Sequence, residues 1–228
     1  EMEEELRRSE RLGAVGQLAA GLAHEIRNPL ASLSGAIELL TADLPQGDRN
    51  SLTLSEIVKR ETARLNRLVS DFLTYARPGP GRAEPVPLRA LFEELRALVQ
   101  KDETCGVDLL VEVPAELRAL GNPDQLRQVF WNLVLNAAQS QPADGVVRVR
   151  ASADALLDET VISIEDRGCG IPPDALERIF EPFFTTKPKG TGLGLATVHR
   201  VVEAHDGRIA VASERGKGTT VRVFLRSA

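Results

Sequence analysis

The hydrophobic and polar positions of the first third of the chain repeat with the period of two long amphipathic helices. Through residues 1–42, apolar or small side chains recur at alternating steps of three and four, the spacing of a seam along one helix face. These positions are Leu12, Val15, Ala19, Leu22, Ile26, Leu33, Ala36 and Leu40. Residues 43–49 contain one Pro, one Gly and two Asp, which predicts a turn, and a second amphipathic pattern starts near residue 50.

Each of these helices carries a single apolar stripe, which is too little to close a core within one hairpin. Two hairpins related by a twofold axis would bury both stripes in a four-helix bundle, so we expect residues 1–77 to form an all-α dimerisation domain. The alternative is a single hairpin packed on the domain that follows it.

A segment rich in proline and glycine then separates the hairpin from the rest of the chain. Residues 77–87 contain four Pro and two Gly, through which neither a helix nor a central strand can run. We assign residues 78–87 as a linker between domains 1–77 and 88–228.

The pattern after the linker alternates between helices and strands. Helices are predicted over 88–101, 124–140 and 193–204, and strands over 107–113, 146–153, 161–165, 208–213 and 219–225. Asn122, Pro123 and Asp124 provide start signals for the second of these helices. Connections that include hairpins favour a mixed, largely antiparallel sheet with helices on one face, so residues 88–228 are predicted to form an α+β two-layer sandwich.

Composition narrows the classes of function. A formal net charge of -5 argues against nucleic-acid binding as the main function. The two cysteines, Cys105 and Cys169, follow no metal or disulfide pattern and indicate reduced thiols in the cytoplasm. No run of about 18 apolar residues is present, so we expect no membrane segment in this chain. Because Glu1 is not an initiator methionine, we expect a longer parent protein whose upstream region could carry a membrane anchor.

One histidine of the first helix is a candidate for chemistry. His24 falls two residues after a seam position and faces water, with Glu25 beside it and Asn28 on the same face one turn later. Pro29 lies on the seam, where we expect it to kink the helix and free a backbone carbonyl. A nucleophile next to an acid on an exposed, distorted helix indicates catalysis, and the alternative is an ordinary solvated histidine.

Candidate ligand-binding residues are concentrated in the second domain. Asn132 and Asn136 lie one turn apart on one face of an apolar helix, where an amide oxygen suits Mg²⁺. The alternative for this pair is two buried amides bonded to neighbouring backbone. Asp166 ends a strand and is followed by Gly168 and Gly170, where the backbone can approach a ligand closely and the carboxylate can accept a hydrogen bond from an exocyclic amine.

Two further segments follow along the chain. Residues 179–189 contain three Phe, two Lys and two Pro, a composition suited to a mobile lid, and the alternative is a surface loop fixed by its Phe rings. Residues 190–195 supply glycines directly before a helix, whose N-terminal N–H groups and dipole favour phosphate. This segment is neither a Walker loop nor a dinucleotide-binding turn.

These motifs resemble those of one protein family. Residues 24–30, His-Glu-Ile-Arg-Asn-Pro-Leu, resemble the phosphoacceptor box of sensor histidine kinases. The four segments of the second domain, in their order and spacing, resemble the N, G1, F and G2 boxes of the histidine-kinase ATP-binding domain, a Bergerat-type fold shared with gyrase, Hsp90 and MutL. Residues 216–220 are similar to the later Gly-x-Gly-Thr element, and the lid is similar to that of the nitrogen-regulation group. The resemblance covers residues 10–226.

The resemblance implies roles for individual residues. Asp166 would bind the adenine amine, and Asn136 would hold Mg²⁺. Asn132 and Lys187 would face the phosphates of ATP, and Asn132 would be a catalytic residue. Further nucleotide contacts are implied for Gly168, Gly170, Phe180, Gly190, Thr191, Gly192, Leu193, Gly194 and Thr219, with the amides of Gly192 and Gly194 lining a phosphate channel. Gln139 departs from the family pattern, because many relatives have a basic residue there, and we expect Lys187 to neutralise more of the phosphate charge as a result.

The implied activity is that of a homodimeric kinase, which transfers the γ-phosphoryl group of ATP to His24 and from there to an aspartate of a response regulator. Glu25 would take a proton from the imidazole, and Asn28 would orient water for phosphatase activity toward the regulator. Two other classes remain open at this point. One is a conformational ATPase of the gyrase or MutL kind, which needs a transducer domain after the ATP site. The other is a scaffold that binds nucleotide and regulator without transfer.

Overall fold

The computed structural model describes residues 81–228 apart from 102–105, 143–144, 155 and 188–190. Of the first 80 residues it describes 31, 33, 35, 37, 51, 53–60, 62, 65 and 69. The predicted site residues His24, Glu25, Asn28 and Gly190 therefore lie outside the described residues. The chain divides into two compact units, Glu1–Pro78 and Gly79–Ala228.

The described residues of the first unit are all helical, as the apolar period predicts. The Ser55 hydroxyl donates to Ser51 O (2.9 Å) and the buried Thr62 hydroxyl donates to Val58 O (2.8 Å), so both polar side chains are satisfied one helical turn back. Several large apolar side chains among the described residues of this unit are exposed, namely Leu33, Leu54, Ile57, Val58 and Leu65.

The second unit contains strands and helices in alternation, as far as its residues are described. The strands are β1 (Glu84–Pro87), β2 (Asp108–Glu112), β3 (Arg118–Gly121), β4 (Val146–Asp154), β5 (Glu159–Asp166), β6 (Arg208–Glu214) and β7 (Gly218–Arg226). The helices are α1 (Leu88–Lys101), α2 (Pro123–Ser140), α3 (Pro173–Leu176) and α4 (Gly194–Ala204).

Five of these strands form the main sheet, in the order β2-β4-β5-β7-β6. β2 pairs with β4 in parallel, and the other three neighbouring pairs are antiparallel. Alternate residues along β4 are buried, and the same alternation runs along β5, as expected for a sheet with one covered face. The predicted mixed, largely antiparallel sheet is confirmed.

The covered face of the sheet packs against helices through a core that is mainly aliphatic. Phe92 of α1 and Phe130 of α2 add fully buried aromatic rings whose centroids lie 4.9 Å apart. α2 buries one side through residues that include Leu126, Val129 and Leu133, whereas Asn132 and Asn136 are only partly buried. The apolar face of α2 thus fixes the helix, and its amide-bearing face is left for a site. The predicted α+β sandwich is confirmed.

The structure differs from the predicted linker at residues 84–87. These residues form β1, which pairs antiparallel with β3 in a separate two-stranded sheet. Pro85 and Pro87 alternate with Glu84 and Val86, and proline is tolerated in an edge strand when its missing donor falls on the unpaired side. The linker prediction was therefore too long at its C-terminal end, and neither β3 nor the short helix α3 was predicted.

The N-terminus of α2 is joined to the C-terminus of α4. Asn122 Oδ1 accepts from Gln125 N (3.1 Å), which is an N-cap hydrogen bond, and Pro123 occupies the first turn. Asn122 N donates to Nε2 of the buried His205 (3.0 Å), so the other ring nitrogen, Nδ1, donates to Val201 O (2.7 Å). This imidazole fixes α2 relative to α4, and with it the amide-bearing face of α2.

Candidate functional site

The carboxylate of Asp166 is held at one end of the candidate site. Asp166 ends β5, and its Oδ1 accepts from Gly168 N (2.8 Å) and from the Ser140 hydroxyl (3.0 Å) at the last residue of α2. A Cβ at Gly168 would overlap Ser140, and Cys169 N donates to Ser140 O (3.0 Å). The loop after Asp166 therefore packs directly on the C-terminal end of α2, which requires glycine at position 168.

The other side of this loop packs against the turn between β6 and β7. Gly170 has φ +67°, and a Cβ there would overlap Glu214 O. Gly216 N donates to Cys169 O (2.8 Å). Thr219 pairs with Asp166 across the β5–β7 ladder and is buried, with its hydroxyl 2.9 Å from the hydroxyl of Ser213. The Asp166–Gly170 loop is thus clamped between α2 and the β6–β7 turn.

The two asparagines of α2 make different contacts. Asn132 Nδ2 donates to Gly194 O (3.4 Å), which links α2 to the first residue of α4. Asn136 Oδ1 accepts from Lys187 Nζ (3.1 Å). The alternative for this pair was two buried amides bonded to backbone. Asn132 does bond to backbone, but neither side chain is fully buried, and Asn136 faces a cation.

Lys187 lies between two amide oxygens. Its ammonium donates to Asn136 Oδ1 and also to Gln139 Oε1 (3.0 Å). Burial lowers the pKa of Lys187, and electrostatic interactions with Cys169 and Asp166 oppose part of this effect. Gln139, which stands where many relatives have a basic residue, therefore helps to hold this lysine.

The segment before Lys187 is partly packed and partly exposed. The Phe180 ring lies 4.9 Å from the ring of His199, and the Arg178 guanidinium lies 4.5 Å from the centroid of Phe184. Phe183 is 67% exposed and has φ +68°, a backbone conformation that is strained for a residue with a Cβ. The alternative of a loop fixed by ring packing thus fits Phe180 and Phe184 and does not fit Phe183.

The glycine-rich segment touches the same loop. Phe183 N donates to Gly192 O (2.9 Å), and Gly192 has φ +69° at a place where a Cβ would overlap the Phe183 backbone. Leu193 N donates to the Thr191 hydroxyl (3.3 Å), and the Leu193 side chain is buried. α4 begins at Gly194, so its N-terminus, with the N–H groups and dipole end that favour anions, faces the amide-bearing side of α2.

These contacts bring together residues from four separated motifs. Asn132 is hydrogen-bonded to Gly194 and Asn136 to Lys187, and Asp166 is hydrogen-bonded to the C-terminal residue of the same helix, Ser140. Ser140 was missed by the sequence analysis, although its position four residues after Asn136 places it on the amide-bearing face. Ser213, Arg178 and His199 also contact residues of the site, and no sequence pattern predicted these contacts.

The chain matches two protein family models that account for this arrangement. Residues 121–228 match the histidine kinase-, DNA gyrase B- and HSP90-like ATPases. Residues 14–81 match the His Kinase A (phospho-acceptor) domain. The second unit is thus an ATP-binding domain, and with the phosphoacceptor domain before it the chain belongs to the histidine kinases. This pairing removes the class of conformational ATPases without a phosphoacceptor.

Individual relatives are sensor histidine kinases. The chain is 41% identical over 232 residues to sensor histidine kinase ZraS of Escherichia coli K12, a match that covers 98% of this chain and 48% of ZraS. It is 39% identical over 236 residues to the signal transduction histidine-protein kinase AtoS of the same strain, which covers 99% of this chain and 37% of AtoS. The chain spans about half the length of the curated relatives it matches first.

The fold also matches a solved structure with a bound nucleotide analogue. Full-length ShkA in complex with AMPPNP superposes with a TM-score of 0.78 at 29% identity, covering 93% of this chain and 46% of ShkA. In the part of the chain that the structure describes, no helix has both the length and the apolar composition needed to cross a membrane.

Proposed function

We propose that this chain phosphorylates its own His24 with ATP and passes the phosphoryl group to an aspartate of a response regulator. One observation carries the proposal. Along one face of α2, polar side chains contact Gly194, Lys187 and Asp166 in turn. Groups suited to binding phosphate and a group suited to binding a purine base therefore lie along the same helix face. The His24 box lies in the same chain, within the segment that matches the phosphoacceptor domain.

The adenine end of ATP is assigned to Asp166. Its Oδ1 already accepts two hydrogen bonds, and among the described contacts Oδ2 accepts none. A carboxylate oxygen with a free lone pair is the acceptor that an exocyclic amine needs. Gly168, Gly170 and the buried Thr219 would then shape the pocket around the base.

The phosphate end is assigned to the opposite end of the same helix face. The Asn132 amide contacts the first residue of α4, and the Lys187 ammonium contacts Asn136 one turn further along α2. The amides of Gly192 and Gly194 would line the phosphates there together with Gly190, Thr191 and Leu193. Phe180 would border the site from the lid. Transfer of a phosphoryl group depends mainly on positioning and charge neutralisation, and these residues supply both.

The donor set fits a magnesium ion at Asn136. Its amide oxygen accepts a hydrogen bond from the Lys187 ammonium (3.1 Å), and this orientation toward a positive charge supports the assignment. Mg²⁺ prefers oxygen ligands and keeps several water and phosphate ligands of its own, so a single amide oxygen suits it. The ion would neutralise charge on the phosphate oxygens.

The acceptor chemistry is assigned to the first domain. Glu25 would remove a proton from one nitrogen of His24 so that the other nitrogen can attack phosphorus. Asn28, one turn later, would orient a water for hydrolysis of the regulator's aspartyl phosphate. We propose that this dual activity operates in the cytoplasm, where ATP and the regulator are available.

We further propose that the first domain, residues 1–77, is the homodimer interface, joined by the linker to the catalytic domain. The exposed Leu54, Ile57 and Leu65 support this proposal, because an apolar stripe on a helical hairpin needs a partner surface.

Incubation with γ-labelled ATP tests the proposal. The parent chain should acquire a label that is lost in acid and retained in alkali, and His24→Gln should acquire none while it still binds ATP. His199→Gln is the matched control and should keep the acid-labile label. Label that remains on the His24 variant, or that resists acid, would contradict the assignment, and an unlabelled parent chain would favour the scaffold class.

A further inference from the structure

Ser140 makes a contact that the phosphoryl-transfer chemistry does not use. Its hydroxyl lies 3.0 Å from Asp166 Oδ1, its carbonyl accepts from Cys169 N (3.0 Å), and the adjacent Gly168 leaves no room for a Cβ. The last residue of α2 is therefore fixed against the Asp166–Gly170 loop on both its backbone and its side chain.

The Ser140 hydroxyl has one proton and two acceptors within reach. Ala137 O lies 2.8 Å away, and Asp166 Oδ1 lies 3.0 Å away. A hydrogen bond to an ionised carboxylate is roughly twice as strong as one between neutral groups, so the carboxylate is the favoured acceptor. The second donor to the same oxygen is Gly168 N, at 2.8 Å.

Both donors act on Oδ1, and this has a geometric consequence for Oδ2. A carboxylate with two donors on one oxygen cannot exchange its oxygens by rotation without breaking both hydrogen bonds. Gly168 N alone approaches from within the loop, whereas Ser140 approaches from α2. The pair thus fixes the plane of the Asp166 carboxylate, and with it the direction of Oδ2.

We propose that Ser140 is a positioning residue for recognition of the nucleotide base: it holds Asp166 so that Oδ2 accepts from the exocyclic amine of a 6-aminopurine. This inference rests on the proposed role of Asp166 in binding adenine. It predicts that Ser140 acts on one group of the ligand, the amine, and not on the ribose or the phosphates.

A capping role for Ser140 predicts a different result. If its hydroxyl served only to bond Ala137 O in the last turn of α2, removal would weaken the helix end and affect every nucleotide alike. The amine dependence of any loss separates the two roles. ATP is therefore compared with purine riboside triphosphate, which lacks the 6-amine and is otherwise the same.

The experiment measures the affinity of the full chain for both nucleotides. Ser140→Ala should weaken ATP binding about 3- to 10-fold and leave purine riboside triphosphate binding unchanged, which corresponds to the loss of one hydrogen bond. Ser140→Thr keeps the hydroxyl and should restore most of the preference for ATP. Ser152→Ala, on the exposed part of β4, is the matched control and should change neither affinity.

Two results would overturn the inference. An equal loss for both nucleotides in Ser140→Ala assigns the residue to capping, and no loss for either removes its role altogether. Asp166→Ala distinguishes these failures from failure of the adenine assignment. If Asp166→Ala loses the preference for ATP and Ser140→Ala does not, only the role of Ser140 is wrong. If Asp166→Ala keeps that preference, both assignments are wrong.

Discussion

Lys187 donates a hydrogen bond to Gln139, with 3.0 Å between Nζ and Oε1. This contact joins α2 to the loop that precedes the glycine-rich segment. The resemblance to histidine kinases leads one to expect a basic residue at position 139. A neutral acceptor stands there instead, and the cation comes from position 187. Positive charge at this part of the site is thus supplied by a residue that belongs to the lid.

Replacing Lys187 tests this source of charge. Lys187→Met should reduce autophosphorylation about 10- to 100-fold, because a charge-assisted hydrogen bond to phosphate is typically worth about 1.5–3 kcal/mol. The measurement is the initial rate of label incorporation at saturating ATP. Lys217→Met is the matched control, since Lys217 is an exposed lysine paired with Glu214, and its rate should equal that of the parent. A Lys187 variant with the parent's rate would rule out this role.

The same substitution should not reduce thermal stability at neutral pH. Burial lowers the pKa of Lys187, so the unfolded chain binds more protons than the folded chain at pH values between the folded pKa and the ordinary lysine value of about 10.4. The contribution of Lys187 to stability therefore rises with pH in this window. The thermal midpoint of the parent should increase relative to that of Lys187→Met as the pH is raised.

Gln139 should act only through Lys187. Gln139→Ala should slow autophosphorylation less than Lys187→Met does, and the double variant should be no slower than Lys187→Met alone. Residues in direct contact give such non-additive effects. Rates that multiply in the double variant would show that the two side chains act independently.

Gly192 offers a comparison of two glycines that share a backbone conformation. Gly192 and Gly216 have φ of +69° and +79°, but a Cβ at Gly192 would overlap the Phe183 backbone, whereas nothing lies within 4 Å of one at Gly216. Both alanine variants carry the strain of positive φ. Only Gly192→Ala must also push the Phe183 backbone away from the glycine-rich segment. We expect ATP affinity to fall at least 10-fold in Gly192→Ala and to stay within about twofold in Gly216→Ala, measured by calorimetric titration. Equal losses would assign the effect to strain alone.

His205 should be a structural residue of the catalytic domain. His205→Ala removes the acceptor for Asn122 N and the donor to Val201 O inside a buried region. Leaving one buried backbone group unpaired typically costs about 1–3 kcal/mol, and this should appear as a lower denaturation midpoint in urea. The partly exposed His199 is the control, and its alanine variant should unfold close to the parent midpoint.

The last prediction separates two activities proposed for the first domain. Glu25→Ala should slow autophosphorylation about 10²–10⁴-fold, because it removes general-base assistance beside His24. Asn28→Ala should keep most autophosphorylation and lose phosphatase activity toward the regulator. If Asn28 instead serves only to bond the backbone carbonyl freed by Pro29, both activities and thermal stability would fall together in that variant.

The sequence predicted the elements that carry a long periodic signal. α2 has an N-cap, a proline in its first turn and a continuous apolar face, and its predicted and observed limits differ by one residue at the N-terminus. β1 and β3 have four residues each, and β1 has two prolines, so neither shows the alternation from which a strand is predicted. The two strands pair with each other although they are distant in the sequence, and such a pairing cannot be predicted from a local pattern of residues.

The same limit applies to the site. Asp166, Asn132, Asn136 and Lys187 were predicted from their residue types and from motif order, but their partners were not. The Ser140–Asp166 contact joins residues 26 apart and the Lys187–Gln139 contact joins residues 48 apart. Such approaches are decided by how α2 packs on the sheet, so they became visible only with the fold.

The residues of α2 that we assign to nucleotide binding are evenly spaced along the helix. Asn132, Asn136 and Ser140 follow one another at intervals of four residues, so about 12 Å of helix axis separates the first from the last. One residue added or removed between Asn136 and Ser140 would rotate the helix end by roughly 100° and detach Asp166 from its partner, while Asn132 and Asn136 kept their positions. Under the proposed roles, the distance between the groups that would bind the two ends of ATP is set by the length of a single helical segment, which can accept substitutions but not insertions.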